Sequence, residues 1–168
     1  MISKIKIIKT NDGSHTILCN EVNKCFHSKH GSIIEAEHVF IKKGLLSNYK
    51  KEQKILEIGY GTGLNTLLTL KNSKEKNMII DYHTIDLFPL KFKYVIKLNF
   101  PEIIGEKRSV YLDIHNKAWE KKHKINNNFY LTKNKISLEK YNYKNNFDII
   151  YFDAFSPEKQ PELWTRDI

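Results

Sequence analysis

Short apolar runs alternate along this chain with more polar stretches, and in one segment, 64–70, leucines recur three or four positions apart. Residues 2–9, with Ile2, Ile5, Ile7 and Ile8, and residues 16–22 read as two strands, and Asn11-Asp12-Gly13-Ser14 between them predicts a hairpin turn. Ser32 with Glu35 three residues on has the spacing of a capping box. It predicts a helix to about Lys43, with Gly44 just beyond its end and Ile33, Ala36, Val39 and Phe40 as its apolar stripe. A polar connector over 47–53 leads into Ile55-Leu56-Glu57-Ile58, an apolar run of the kind that forms a buried parallel strand. Three closely spaced glycines follow, then a helix with Leu64, Leu67, Leu68 and Leu70 on its buried face. Beyond a charged turn over 71–77, the pattern predicts a strand over 78–86 and a helix over 89–98 that residues 101–105 close. It then predicts an extended connection through 101–128 with Trp119 as a packing anchor. A strand over 129–136, a short helix or turn over 137–141 and an apolar strand over 148–153 complete the pattern.

Strands alternating with helices define an α/β chain with a doubly wound, mostly parallel sheet. The expected organisation is a single domain over 1–168: an N-terminal hairpin and helix (1–50), then a Rossmann-like core (51–168). In such sheets ligands bind beyond the carboxyl ends of the strands, where strand order reverses. Glu57, Asp86 and Asp153 each close a predicted strand, so the three carboxylates should point into one crevice.

The loop Gly59-Tyr60-Gly61-Thr62-Gly63 has the strand–turn–helix context of a nucleotide-cofactor site. Its spacing is G-x-G-x-G, and Leu64 stands where a dinucleotide fingerprint needs its third glycine. Glu57, two residues before the first glycine, is unsuited to a pyrophosphate but suits a cofactor bearing an ammonium and a sulfonium. NAD is therefore disfavoured. Asp86 lies near the spacing at which an acid receives ribose hydroxyls, a role both cofactor classes share; capping the next helix is its structural alternative.

Composition adds less. The 168 residues are 40% hydrophobic and 12% aromatic, as in a globular domain, with no run approaching the roughly 18 apolar residues of a membrane span and no signal-peptide pattern. Cys19 and Cys25 lack CxxC spacing and read as reduced thiols of a cytoplasmic protein without zinc. His27, His30 and His38 lack the i, i+4 pairing of metal ligands on one helix face, so no metal is expected. The net charge of +9 suits an anionic partner such as RNA, yet only Arg108 and Arg166 among the 28 basic residues are arginines. A lysine bias along the whole chain explains the charge as well as a selected patch does.

The segment Glu57–Gly63 resembles the first motif of class I S-adenosylmethionine (SAM) methyltransferases. Asp153-Ala-Phe-Ser-Pro157, followed by Lys159 and Pro161-Glu-Leu-Trp164, is similar to the signature of the tRNA 5-methylaminomethyl-2-thiouridine (MnmC-like) methyltransferase family. Asp12-Gly-Ser-His-Thr16, the pattern from Phe26 to Phe40, Leu64-Asn65 and Phe88-Pro-Leu90 resemble it too, so the likeness spans nearly the whole chain. It implies SAM held by Glu57, Gly59, Tyr60, Gly61, Gly63, Asn65, Asp86 and Glu35, with Asp153 as the base. Phe155, Pro157 and Trp164 would shape the substrate pocket. The implied reaction is N-methylation of 5-aminomethyl-2-thiouridine at the tRNA anticodon wobble position, without a flavin in this chain.

Two departures qualify that likeness. Family members carry an acid after the third strand for the adenine amino group, whereas Lys133-Asn-Lys-Ile-Ser137 has none, leaving Asn134 or Ser137 to substitute. The chain stops at Ile168, so the last three strands of a seven-stranded class I sheet are expected to be missing and the fourth strand to expose an apolar edge. Impaired stability follows, and a second polypeptide is one candidate to supply those strands. Two other readings stay open: a SAM methyltransferase for another amine, and a non-catalytic remnant or RNA-binding module.

Overall fold

The structure, a computed structural model, describes residues 5–19, 24–142, 146–154 and 156–166. The N-terminal hairpin is present as β1 (Ile5–Lys9) and β2 (His15–Cys19), antiparallel, and a short β3 (Lys24–Cys25) adds to the other side of β2. The outer ends of the two expected strands, residues 2–4 and 20–22, lie outside the described residues.

The hairpin turn does more than reverse the chain. The Asp12 carboxylate accepts hydrogen bonds from Thr10 Oγ1 (2.6 Å), Ser14 N (3.0 Å) and Ser14 Oγ (2.6 Å) within the turn. Its other oxygen accepts from the backbone N–H groups of Ile33 (3.0 Å) and Ile34 (3.1 Å), at the start of α1 (Ser32–Ala36). The expected capping box is therefore absent. Ser32 lies inside the helix and its hydroxyl donates to His15 O (3.1 Å), while Glu35 accepts from Ser28 N (2.8 Å). A carboxylate from the hairpin satisfies the free N–H groups that a local serine would otherwise cap. Asp12→Ala should lower stability by about 1–3 kcal/mol, because it orphans these donors and unties hairpin from helix. Urea denaturation of the variant beside the wild type measures this, and an unchanged midpoint would contradict it.

Nor does α1 end at Lys43. It passes directly into a π-helix (Glu37–Leu45), so Gly44 is helical and not a terminator. An added Cβ there would come within 3.1 Å of the Tyr151 ring, so the glycine permits close packing on the sheet. The wider turn shifts the buried face to Ala36, Ile41 and Leu45, and Val39 is 47% exposed.

The core is a five-stranded sheet built from β4 (Glu52–Ile58), β5 (Ile79–Ile85), β6 (Lys122–Asn126), β7 (Phe129–Asn134) and β8 (Ile149–Phe152), in the order β6-β7-β5-β4-β8. All neighbours are parallel except β6, which runs antiparallel to β7. The expected doubly wound, mostly parallel sheet is thus present, and order reverses at β4, which lies between β5 and β8. Glu52 and Gln53, expected in the connector, open β4. Helix α2 (Leu64–Glu75) runs past the expected turn at residue 71 and is buried nearly all round. Its leucines face the core, and its inward polar groups bond its own backbone: Thr69 Oγ1 to Asn65 O (2.7 Å), Asn72 Nδ2 to Leu68 O (3.0 Å), Ser73 Oγ to Leu70 O (2.8 Å).

Between β5 and β7 the structure departs most from expectation. Only Phe92–Val95 (α3) of the expected helix over 89–98 is helical, and Phe100–Ile104 forms a separate α4 ended by Gly105 in the left-handed conformation. The supposed extended connection contains α5 (Arg108–Asn116), which buries Tyr111 and Ile114, and then β6. Arg108 fixes this corner, bonding both Glu102 oxygens (2.6 and 2.7 Å) and the carbonyls of Ile96 and Leu98. On the opposite side β8 is tethered at its start, where Asp148 accepts from Lys50 Nζ (2.6 Å) and Lys54 N (2.8 Å). Among the described residues β8 pairs with β4 alone and its Ile150 is 59% exposed, the apolar edge expected of the fourth strand.

Candidate functional site

Strand register puts the candidate residues at one level. Ile58 lies opposite Ile85 on one side and Phe152 on the other, so Gly59, Asp86 and Asp153 leave three adjacent strands together. Three backbone bonds hold that level: Gly59 N to Ile85 O (2.9 Å), Asp153 N to Ile58 O (3.0 Å) and Asp86 N to Asn134 O (3.0 Å). The glycine loop crosses above with φ of +93°, +49° and +69° at Gly59, Gly61 and Gly63, values that side-chain-bearing residues rarely adopt.

A cavity of ≈ 230 Å³ opens beyond these strand ends. Gly59, Tyr60, Gly61, Asn65, Asp86 and Asp153, all expected at the site, line it. Asp86 Oδ2 accepts from Gly61 N (3.0 Å) and its Oδ1 from Phe88 N (2.8 Å), so the acid also locks the loop to the end of β5. Burial raises its pKa despite these bonds. Asp153 Oδ2 accepts from Asn65 Nδ2 (2.8 Å). Burial, with a smaller contribution from the nearby Glu35 charge, lifts its carboxyl to about 6 although the Asn65 bond opposes the rise. The carboxyl is thus ionised at neutral pH and within reach of protonation, as a general base requires.

Other expected residues fall elsewhere. Glu57 does not line the cavity: it is fully buried behind the loop, with Thr66 Oγ1 3.4 Å from its Oε2. Burial pushes its pKa up to about 8. Gly63 is the N-cap of α2, where an added Cβ would come 2.6 Å from His115 Nε2. Glu35 borders a second cleft beside the first, and Asp153 lines both. Pro157 is exposed and lines neither; Trp164 also lines neither and packs edge-on to Phe152 at 4.9 Å. Phe155 lies outside the described residues.

Glu57 has a consequence for pH dependence. Its ordinary value is 4.5 and its folded value about 8, so between these the unfolded chain releases a proton that the folded chain keeps. Stability should therefore fall as pH rises through that window, by up to about 1.4 kcal/mol per pH unit. Glu57→Gln should flatten this slope. Urea midpoints at several pH values test it, and parallel profiles for the two proteins would refute it.

Several site residues were not apparent from the pattern. His27, which the sequence marks only as lacking metal-ligand pairing, bridges Thr62 Oγ1 of the glycine loop and Thr16 Oγ1 of β2, each at 3.2 Å. Desolvation lowers it to about 4, so it is a neutral strut. Lys133 is buried under the loop, donating to Ile114 O (2.9 Å) and His115 O (2.8 Å) at the end of α5. Its ammonium lies 5.3 Å from the Tyr60 ring and 5.1 Å from the Trp119 ring. Trp119 thus packs as expected, though against a cation and the loop tyrosine. Nothing marks Lys133 among so many lysines in the sequence. Glu139 lines the cavity with Ser137 and Leu138, so a carboxylate is present just beyond the segment that lacked one.

The residues fit SAM. Gly59 and Gly61 form a wall without side chains, Asp86 can accept ribose hydroxyls, and Ser137, Leu138 and Glu139 offer an apolar and polar face to a purine. Among the described residues no group of three or more His, Cys, Asp or Glu could hold a metal, and no helix is long and apolar enough to cross a membrane.

Comparison with known proteins agrees with this geometry. A family model described as S-adenosyl-L-methionine-dependent methyltransferase matches residues 102–168. The MnmC bifunctional protein of tRNA 5-methylaminomethyl-2-thiouridine biosynthesis from Leptospira interrogans is 29% identical over 169 residues, covering 91% of this chain and 26% of that protein. Uncharacterized protein MJ0670 of Methanocaldococcus jannaschii is 26% identical over 162 residues, 96% of this chain and 44% of that protein. The crystal structure of MNMC2 from Aquifex aeolicus superimposes with a TM-score of 0.75 at 25% identity, covering 97% of this chain and 54% of that one. The chain thus spans less than half the length of these two curated relatives. The resemblance to MnmC-like SAM methyltransferases and the fold expected from it are borne out.

Proposed function

We propose that this chain is a SAM-dependent N-methyltransferase module that methylates the exocyclic amine of 5-aminomethyl-2-thiouridine at the tRNA wobble position. The observation that carries the reading is Asp153, held by Asn65 where the glycine-loop cavity meets a second cleft. The name of the Leptospira relatives, a protein of tRNA 5-methylaminomethyl-2-thiouridine biosynthesis, supports the choice of substrate. SAM when bound would supply an electrophilic methyl group on a sulfonium.

The chain's own residues do the rest. Gly59 and Gly61 allow the backbone to approach the cofactor, and Asp86 orients its ribose while bracing the loop. Ile58, Leu64, Ile85, Leu138 and Leu163 keep much of the cavity apolar, which limits water at the reacting centre. A primary amine reaches the site mostly protonated. Asp153 accepts one of its protons and so leaves the nitrogen lone pair available, while alignment against the methyl group contributes the larger share of the acceleration.

The test is calorimetric titration with S-adenosylhomocysteine, followed by transfer of labelled methyl to tRNA carrying 5-aminomethyl-2-thiouridine. Saturable binding and label on that tRNA, but not on tRNA lacking the aminomethyl group, is the expected result. Binding with transfer to free amines alone would favour a methyltransferase for another amine. A folded chain that binds no S-adenosylhomocysteine would be a non-catalytic member of the fold.

A further inference from the structure

The second cleft, ≈ 450 Å³, falls within the range of small-molecule sites, about 300–1,000 Å³. It meets the cofactor cavity at Asp153 and is walled by Phe26, Phe40 and Glu35. An acceptor entering from this side can reach Asp153 while the first cavity is filled.

The charges of the cleft select what can enter. Glu35 is fixed by the 2.8 Å bond from Ser28 N, and its charge acts on Asp153. Two carboxylates therefore share one cleft. His27 on the same wall is neutral, and Lys29 is solvent-exposed. Phe26 and Phe40 add apolar rings to the lining, chemistry compatible with a planar ring. We propose that this cleft is the acceptor subsite, and that Glu35 is its specificity-determining carboxylate, holding a ring-borne alkylammonium beside Asp153. This inference rests on the methyltransferase reading above. It moves Glu35 from the cofactor side, where the sequence resemblance put it, to the acceptor side. In the proton step an N–H bond of the ammonium breaks, an O–H bond forms on Asp153, and the electron pair stays on nitrogen. Glu35 takes no part in the proton transfer and lies beside the cation that remains after methylation.

The experiment uses the 168-residue chain saturated with S-adenosylhomocysteine. The probes are 5-aminomethyluridine and its uncharged counterpart 5-hydroxymethyluridine, titrated by NMR. The wild type should bind the aminomethyl nucleoside about 10-fold or more tighter, the usual advantage of a charge-assisted bond. Glu35→Gln, which keeps an acceptor for Ser28 N, should bring the two probes to within about threefold of each other and leave S-adenosylhomocysteine affinity unchanged. Glu35→Asp should restore part of the preference. A Gln variant that keeps the full preference, or that loses S-adenosylhomocysteine affinity instead, overturns the assignment. So does a wild type that binds S-adenosylhomocysteine but not the aminomethyl probe. A wild type that binds neither overturns the methyltransferase reading itself, and this inference with it.

Discussion

Gly59→Ala should destabilise the chain by about 2–6 kcal/mol and abolish S-adenosylhomocysteine binding. Gly59 has φ of +93°, so any Cβ is strained there before packing is considered. That Cβ would lie 2.7 Å from the carbonyl oxygen of Asp153 and 3.3 Å from its carbon. These are backbone atoms at the end of β8, and no side-chain rotation can move them. The clash must be relieved by pulling the end of β8 away from β4 or by breaking the Gly59 N–H bond to Ile85 O. Either movement displaces Asp153 or the loop that Asp86 braces. Whole domains are stable by only about 5–15 kcal/mol, so a loss of this size approaches unfolding. Gly105→Ala is the matched control: its φ of +71° is also left-handed, but nothing lies within 4 Å of an added Cβ. It should cost about 1 kcal/mol. Thermal melts and calorimetry of the two variants decide the matter; a Gly59 variant that behaves like the Gly105 variant would show that the β4–β8 approach is not constraining.

The second large effect is catalytic. Asp153→Asn should lower kcat on aminomethylated tRNA by about 10²–10⁴-fold, the usual contribution of a general base. The amide retains the shape and an oxygen that can accept from Asn65, so S-adenosylhomocysteine binding and the melting transition should change little. With the carboxyl lifted to about 6, wild-type activity should rise with pH through that value, because the protonated acid cannot accept a proton. The Asn variant should lack this limb. Single-turnover rates from pH 5 to 8 supply the test. An Asn variant with an intact low-pH limb would assign that ionisation to another group and remove Asp153 from the role of base.

How legible each part was depended on the distance over which its cause acts. Strands β4, β5, β7 and β8 were readable because an apolar run reports its own burial. Helix α5 is hard to read from sequence because of its nine residues only Tyr111 and Ile114 are deeply buried. The segment 89–98 was overread as one helix, whereas Arg108 binds the carbonyls of Ile96 and Leu98 and a new helix starts at Phe100. Ser32 offered a local cap, but the hairpin's Asp12 took that place from 21 residues away. Trp164 matched a substrate-pocket motif, yet its ring rests on Phe152.

The sequence by itself determined the glycine loop between strand and helix, and the acids Asp86 and Asp153 at the strand ends. Backbone conformation and strand termination are set within a few residues, by glycine's freedom and by the limits of an apolar run. Only the tertiary structure decided that Glu57 is buried behind the loop and not in the cavity, that Lys133 lies beneath Tyr60, and that Glu35 borders a second cleft with Asp153. These placements depend on desolvation and on partners far along the chain. A residue's own neighbours in sequence do not report how much water folding will remove from it.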